Sequence, residues 1–284
     1  MVQNIIALVF DCDGTLCPDT TELLLKSYGI DYEKFFQEVG EMVNNGWDPP
    51  LAVMWKILND PRLRNLKNSD LREIGKKIEF YEGVPEFFHE LKRFVDKISE
   101  DLKVDIKIEY YIISSGFEEI IKGSKLNECV DGIFGCAFET NDEDVIIFPK
   151  RSMTFTEKTK CLFAINKGLQ KLIKNDPYKL NDLILEEDRR IPFTNIIYIG
   201  DGPSDVPCFS IVKQNGGIDI GIMKGTKPYE RMYKERKATY GPYLPNYSKN
   251  SSLRRILESK IYDIARDIKD RWEQKFIRRA PRHS

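Results

Sequence analysis

Asp11 and Asp13 stand one residue apart at the end of an apolar run, in Ile5-Ile6-Ala7-Leu8-Val9-Phe10-Asp11-Cys12-Asp13-Gly14-Thr15. Two carboxylates this close repel unless a divalent cation, or a proton held on one of them, relieves the charge, and either arrangement is chemically useful. Taken alone, Asp-x-Asp-Gly is also ordinary turn sequence. A second acidic pair, Asp201 and Asp205, follows another apolar run in Gly200-Asp201-Gly202-Pro203-Ser204-Asp205. Histidine is scarce, with His89 in an expected helix and His283 in the tail. A Ser-His-Asp triad or a histidine metal site is therefore not expected, and carboxylates must carry any catalysis.

Strands must aim these groups. Residues 5–10, 108–113 and 195–199 read as short buried parallel strands, and in open α/β sheets ligands bind at the carboxyl ends of such strands. The second ends in Ser114-Ser115-Gly116-Phe117, and residues 217–222 suggest a further strand. Residues 133–138 and 145–148 read as a small hairpin around Asn141-Asp142. Between the first two strands, residues 20–80 carry helical periodicity, including 32–43 and 51–58, with Gly46-Trp47-Asp48-Pro49-Pro50 and Asn59-Asp60-Pro61 as breaks. Asn68-Ser69-Asp70 is expected to cap a helix starting near Leu71. Gly83-Val84-Pro85 opens another helix, with Phe87, Phe88, Leu91, Phe94 and Val95 facing a core. Thr156-Glu157-Lys158 opens a third, through Leu162, Phe163, Ile165 and Leu169. The expected class is α/β, a parallel-sheet core with an inserted all-helical segment.

At 284 residues the chain is long enough to bury a core and carry an insert. Lysine plus arginine number 44 and aspartate plus glutamate 45, a formal charge of −1, so no basic field points to nucleic acid. The six cysteines show neither zinc-site spacing nor a compact disulfide framework, which fits a reducing cytoplasm. No apolar stretch approaches the length that spans a bilayer, and no signal peptide is expected.

Asp11-x-Asp13-Gly14-Thr15, strand-terminal Ser114, a lysine opening a later helix, and Gly200-Asp201-x-x-x-Asp205 occur in the order of the four signature motifs of the haloacid dehalogenase superfamily of phosphatases, which the chain resembles from about residue 7 to 205. The resemblance implies a Rossmann-like three-layer core at residues 1–17 and 83–284 and a helical cap at residues 18–82. It implies Asp11 as the nucleophile that forms an aspartyl phosphate, Asp13 as general acid and base, and Mg²⁺ held by Asp11, the Asp13 carbonyl and Asp201, with Asp205 ligating directly or through water. Ser114, with the backbone of Ser115 and Gly116, would bind phosphoryl oxygens. Lys158 is the chosen motif lysine over Lys150 and Lys160, bridging Asp11 and the phosphate. Asp13 favours phosphate esters, because a leaving alkoxide needs a proton. The implied activity is hydrolysis of a small-molecule phosphomonoester. The alternatives are a phosphomutase using the same intermediate, or a catalytically silent partner-binding protein.

Ser114-Ser115-Gly116-Phe117 resembles the Ser-Gly-Gly-Phe of phosphoserine phosphatases. At the position nine residues after the nucleophile, where those enzymes place an amine-binding glutamate, this chain has Thr20, and Glu22 is out of register. Trp47, Trp55 and Phe35-Phe36 are expected to pack the insert or line its pocket. The tyrosines of residues 229–247 read as an aromatic-pinned loop, with a substrate-side lid as the sharper alternative. Residues 253–277 read as one long helix with Leu257, Ile261, Ile264, Ile268 and Trp272 on one stripe, packing on the core or, alternatively, pairing two copies as a homodimer.

Overall fold

Strand β1, Ile5–Phe10, lies at the centre of a seven-stranded sheet, and everything on it except the half-buried first residue, Ile5, is buried. The computed structural model describes residues 3–223 and 238–279, with side chains described through residue 274. β1 pairs in parallel with β2, Lys107–Phe117, on one side and with β5, Ile196–Gly200, on the other. Beyond β2 come β3, Gly132–Thr140, and the antiparallel edge strand β4, Ile146–Arg151. Beyond β5 come β6, Ile218–Ile222, and β7, Tyr240–Tyr243, both parallel. The chain leaves β1 toward β2 on one side and returns to β5 on the other, so a crevice forms at the carboxyl end of β1.

Alternation along the strands divides the core. Ala7, Val9, Tyr111, Ile113 and Tyr198 face one layer, while Ile6, Leu8, Phe10, Ile112 and Ile197 face the other. The first layer holds α7, Phe155–Lys167, and α8, Val206–Gln214. The second holds α5, Glu86–Leu102, and the C-terminal helix, Ser252–Arg279, whose Leu257, Ile261, Ile264 and Ile268 are buried against α5 and β1. With helices on both faces, the sheet has the three-layer α/β build expected of a parallel core.

The segment between β1 and α5 is helical: α1, Thr20–Ser27; α2, Tyr32–Asn44; α3, Pro49–Asn59; and α4, Asn68–Gly75. Asp19, Asp31 and Asp48 each cap the helix that follows, accepting hydrogen bonds from its first free N–H groups. The helix expected near Leu71 starts three residues earlier, because Asp70 reaches back to accept from the Lys67 N–H at 3.0 Å and so sits inside the first turn. Leu24, Phe35, Ala52 and Leu71 of this segment are continuous with the α7 side of the core. Short α6, Glu118–Gly123, follows β2 directly and packs on α4.

Two expectations change in detail. The hairpin forms as the antiparallel pair β3–β4, and β3 also joins β2, so that β4 is carried into the main sheet. Part of the tyrosine-rich segment is strand: Tyr240 and Tyr243 lie in β7 beside β6, and Tyr247 is fully buried. Tyr229 and Tyr233 lie outside the described residues, as does the tail 280–284. No helix among the described residues is long and apolar enough to cross a membrane.

Candidate active site

The pleat that buries Ala7 and Val9 carries Asp11 to the same face, just beyond the last residue of β1. Its backbone N–H donates to Ile199 O at 2.8 Å, extending the pairing with β5 and setting Asp11 beside the end of that strand. Asp201 leaves β5 at the same level. Gly14, with φ at +76°, turns the chain away between them. A Cβ at Gly14 would collide with the Asp201 carboxylate, so glycine is required there for space as well as for conformation.

Lys158 unites the site. It stands in the first turn of α7, entirely buried, with Nζ 2.9 Å from Asp11 Oδ2 and 2.7 Å from Asp205 Oδ1. Lys150 instead pairs with Glu139 at 2.6 Å and Lys160 with Glu157 at 2.8 Å, both away from the carboxylates. Burial works against the ammonium's charge, but Asp11 and Asp205 outweigh it and hold Lys158 above the usual lysine range. Asp205 is fixed by more than the lysine, since Tyr198 donates its hydroxyl to Oδ1 at 2.7 Å and the Gly202 N–H donates to Oδ2 at 3.0 Å.

Asp13 points toward the helical segment, where Oδ1 accepts from the Thr20 N–H at 2.8 Å. Its carboxyl is pushed up to about 7, first by burial and then by the neighbouring charge of Asp19. Asp201 is likewise pushed up to about 7, by burial and by Asp205, while the Thr15 hydroxyl contacts its Oδ1 at 3.4 Å. Asp11 is raised well above the ordinary carboxyl range by burial and Asp205, against the opposing pull of Lys158.

Carboxylate oxygens of Asp11, Asp201 and Asp205 lie within 4.8 Å of one another, a hard all-oxygen set suited to a divalent cation. Among the described residues, four carboxylates, counting Asp13, meet a single ammonium in this buried cluster. That excess of negative charge is the feature a bound cation would relieve.

Ser114 and its neighbours are placed differently from a simple strand-to-helix turn. β2 continues through Phe117 with a shift of register after Ile113, so Ser114-Ser115-Gly116 is irregular strand. Ser114 Oγ is buried and accepts the Gly116 N–H at 2.9 Å, so that N–H is already engaged within the loop. The Ser115 hydroxyl donates to Met153 O at 3.0 Å. Gly116 packs against the acid, since a Cβ there would stand 2.5 Å from Asp13 Oδ2.

A cavity of about 560 Å³ opens over Asp13, Ser115 and Gly116 and runs between α2, α3 and the sheet. Phe36 lines it, whereas Phe35 is buried in the core and Trp47 packs on Trp55 at 5.6 Å between ring centroids, outside the lining. The sequence gives no sign of a role for Tyr198, which reads as an ordinary core residue of a strand, and it marks Tyr247 only as one tyrosine of an aromatic-pinned loop, without its partner. Tyr247 donates its hydroxyl to Thr15 O at 2.9 Å and so ties down the loop after β1. Neither tyrosine carries a local signal, because each is defined by a partner distant in the chain or on another turn.

No protein-family model matches the chain. An uncharacterized protein of Borreliella burgdorferi is 33% identical over 238 residues, covering 74% of this chain and 79% of the relative. Among solved structures, a haloacid dehalogenase family hydrolase from Salmonella enterica serovar Typhi superposes with a TM-score of 0.55 at 17% identity, covering 86% of this chain and 67% of the other. A phosphoserine phosphatase captured as a phospho-aspartyl intermediate analogue superposes with a TM-score of 0.54 at 17% identity, covering 90% and 99%. The chain belongs to one family with the Borreliella burgdorferi protein, and its fold is the phosphoserine phosphatase-like fold of the haloacid dehalogenase superfamily.

Proposed function

We propose that this protein is a Mg²⁺-dependent phosphatase that hydrolyses a small-molecule phosphomonoester through an aspartyl phosphate on Asp11. The observation that carries the reading is the Lys158 ammonium held between Asp11 and Asp205 at the crevice where β1 and β5 end. Phosphoryl transfer requires an in-line nucleophile, a proton for the leaving oxygen and positive charge around the equatorial oxygens. Asp11 offers a carboxylate whose Oδ1 is steadied by the Cys12 N–H at 2.7 Å, leaving Oδ2 beside the lysine. Attack by Asp11 on phosphorus forms the acyl phosphate and breaks the ester P–O bond, and the departing oxygen takes the proton of Asp13. Asp13 then accepts a proton from water as that water displaces phosphate from Asp11, which restores both carboxyl groups. The raised proton affinity of Asp13 suits the donor role at neutral pH.

Asp11 and Asp201, with the backbone carbonyl of Asp13, would hold Mg²⁺, while Asp205, already accepting three protein donors, is better suited to orient Lys158 or a bound water. When bound, the cation supplies charge for the phosphoryl oxygens and offsets the surplus of carboxylates. Ser114 would donate its hydroxyl proton to a phosphoryl oxygen, its Oγ being oriented by the Gly116 N–H. The Ser115 N–H would assist as a backbone donor.

Phosphate release from p-nitrophenyl phosphate and a panel of small phosphomonoesters, with Mg²⁺ and with chelator, tests the reading. Turnover is expected to need the metal and to vanish in Asp11→Asn, which removes the nucleophilic charge at nearly constant volume. Undiminished activity in Asp11→Asn would refute the mechanism, and an isomeric ester accumulating in place of free phosphate would mark a mutase.

A further inference from the structure

We infer that the leaving group of the substrate is an uncharged, apolar alkyl or aryl moiety seated in the cavity beneath α2 and α3, an inference that rests on the phosphatase reading above. The cavity meets the motif residues at Asp13, Ser115 and Gly116, whereas Asp11 and Lys158 are not among its lining. In an in-line displacement the leaving oxygen departs on the side opposite the nucleophile and next to the acid. The space facing Asp13 is therefore the leaving-group side. At about 560 Å³ it falls in the range of pockets that enclose whole small molecules, far more than a two- or three-carbon alcohol fills.

Its chemistry is one-sided. Val39 and Val43 of α2, Pro50 and Val53 of α3, and the rings of Phe36 and Phe117 form its walls. No lysine, arginine or glutamate lines it among the described residues, and its two charged residues are Asp13 and Asp19. Asp13 faces the leaving oxygen. Asp19 accepts from the Thr21 and Glu22 N–H groups at 2.7 and 3.2 Å and from the Tyr32 hydroxyl at 3.0 Å, which occupies both its oxygens in holding α1 to α2. A substrate carboxylate would thus lose its hydration without gaining a cationic partner among the described residues, an unfavourable exchange at an apolar wall. Thr20 adds no carboxylate for an ammonium, and its backbone N–H is already given to Asp13. The carboxylate of an amino-acid phosphate is the wrong charge for this space, whereas each methylene placed against the valine and proline wall is favourable.

The test is calorimetric titration of the wild-type protein, in Mg²⁺, with methyl-, butyl- and hexylphosphonate and with 2-amino-4-phosphonobutyrate, none of which is hydrolysed. Affinity is expected to rise about fourfold per methylene along the alkyl series, with the amino-acid phosphonate binding at least tenfold more weakly than butylphosphonate. Val53→Asn, at a half-buried wall position, is expected to flatten the series. Affinity independent of chain length in wild type, or tighter binding of the amino-acid phosphonate, would overturn the inference. The series needs no turnover and decides the apolar site by itself, while the phosphatase reading stands or falls separately on metal-dependent phosphate release and its loss in Asp11→Asn.

Discussion

At the level of single residues, the two carboxyl groups of the first motif are separated by what surrounds them. Asp11 is drawn onto an ammonium at 2.9 Å, while Asp13 accepts the Thr20 N–H and is pushed up to about 7, first by burial and then by the charge of Asp19. Asp13→Asn is therefore expected to slow hydrolysis of alkyl phosphates about 10²- to 10⁴-fold. The loss should be much smaller with p-nitrophenyl phosphate, whose leaving phenolate needs little protonation. For the wild type, kcat on an alkyl phosphate should fall as pH rises through about 7, because the donor form of Asp13 is then lost. Equal losses on both substrates would place the proton donor elsewhere. Lys158 poses the complementary case. Lys158→Met leaves Asp11 and Asp205 buried without their cation, and breaking a buried pair on one side costs about 3–5 kcal/mol. Urea unfolding of the metal-free variant measures this, and an unchanged midpoint would contradict the structural role.

At the level of elements, the site depends on how the loop after β1 is held. Gly14 turns it past Asp201, Thr15 reaches that carboxylate, and Tyr247 pins the loop from a point far along the chain. Phe87 packs on the same tyrosine at 4.6 Å between centroids, so α5 also braces the loop. Tyr247→Phe keeps the ring and removes the hydroxyl, leaving the buried Thr15 carbonyl without its donor, at a cost of about 1–3 kcal/mol. Chemical denaturation should show that loss while the ring packing is retained. A change within a few tenths of a kcal/mol would mean that another group satisfies the carbonyl.

At the level of the whole molecule, folding gathers more acid than base into the crevice among the described residues. Asp13 and Asp201 ordinarily titrate near 3.8, but in the folded chain both are pushed up to about 7, so the folded state binds protons more tightly than the unfolded state. Their contribution to stability is complete below about pH 4 and is lost as pH rises through 7. The chelator-treated protein should therefore have a lower Tm at pH 8 than at pH 5. Mg²⁺ should raise Tm more at pH 8, where the carboxylates are ionised, with about 2.7 kcal/mol of stabilisation at a hundredfold excess over Kd. A Tm indifferent to Mg²⁺ at pH 8 would remove the metal from the proposed function.

Much of this was legible in the chain itself, because short apolar runs that end in aspartate announce both strand and site. The runs at β1 and β5 located Asp11 and Asp201, and the helical periodicity after β1 marked the segment that carries the cavity wall. Lys158 could be preferred to Lys150 and Lys160 from its place in the first turn of an amphipathic helix, but a lysine there is usually solvated, so its burial was not legible. Only the packing of α7 against the sheet decided it, by burying that one ammonium between two carboxylates. Tyr198, Tyr247 and the apolar cavity were likewise decided in three dimensions. The physical reason is one of range. Periodicity and turn chemistry act over a few neighbouring residues and are written along the chain, whereas charge balance, enclosure and long-range hydrogen bonds exist only once distant segments are brought together.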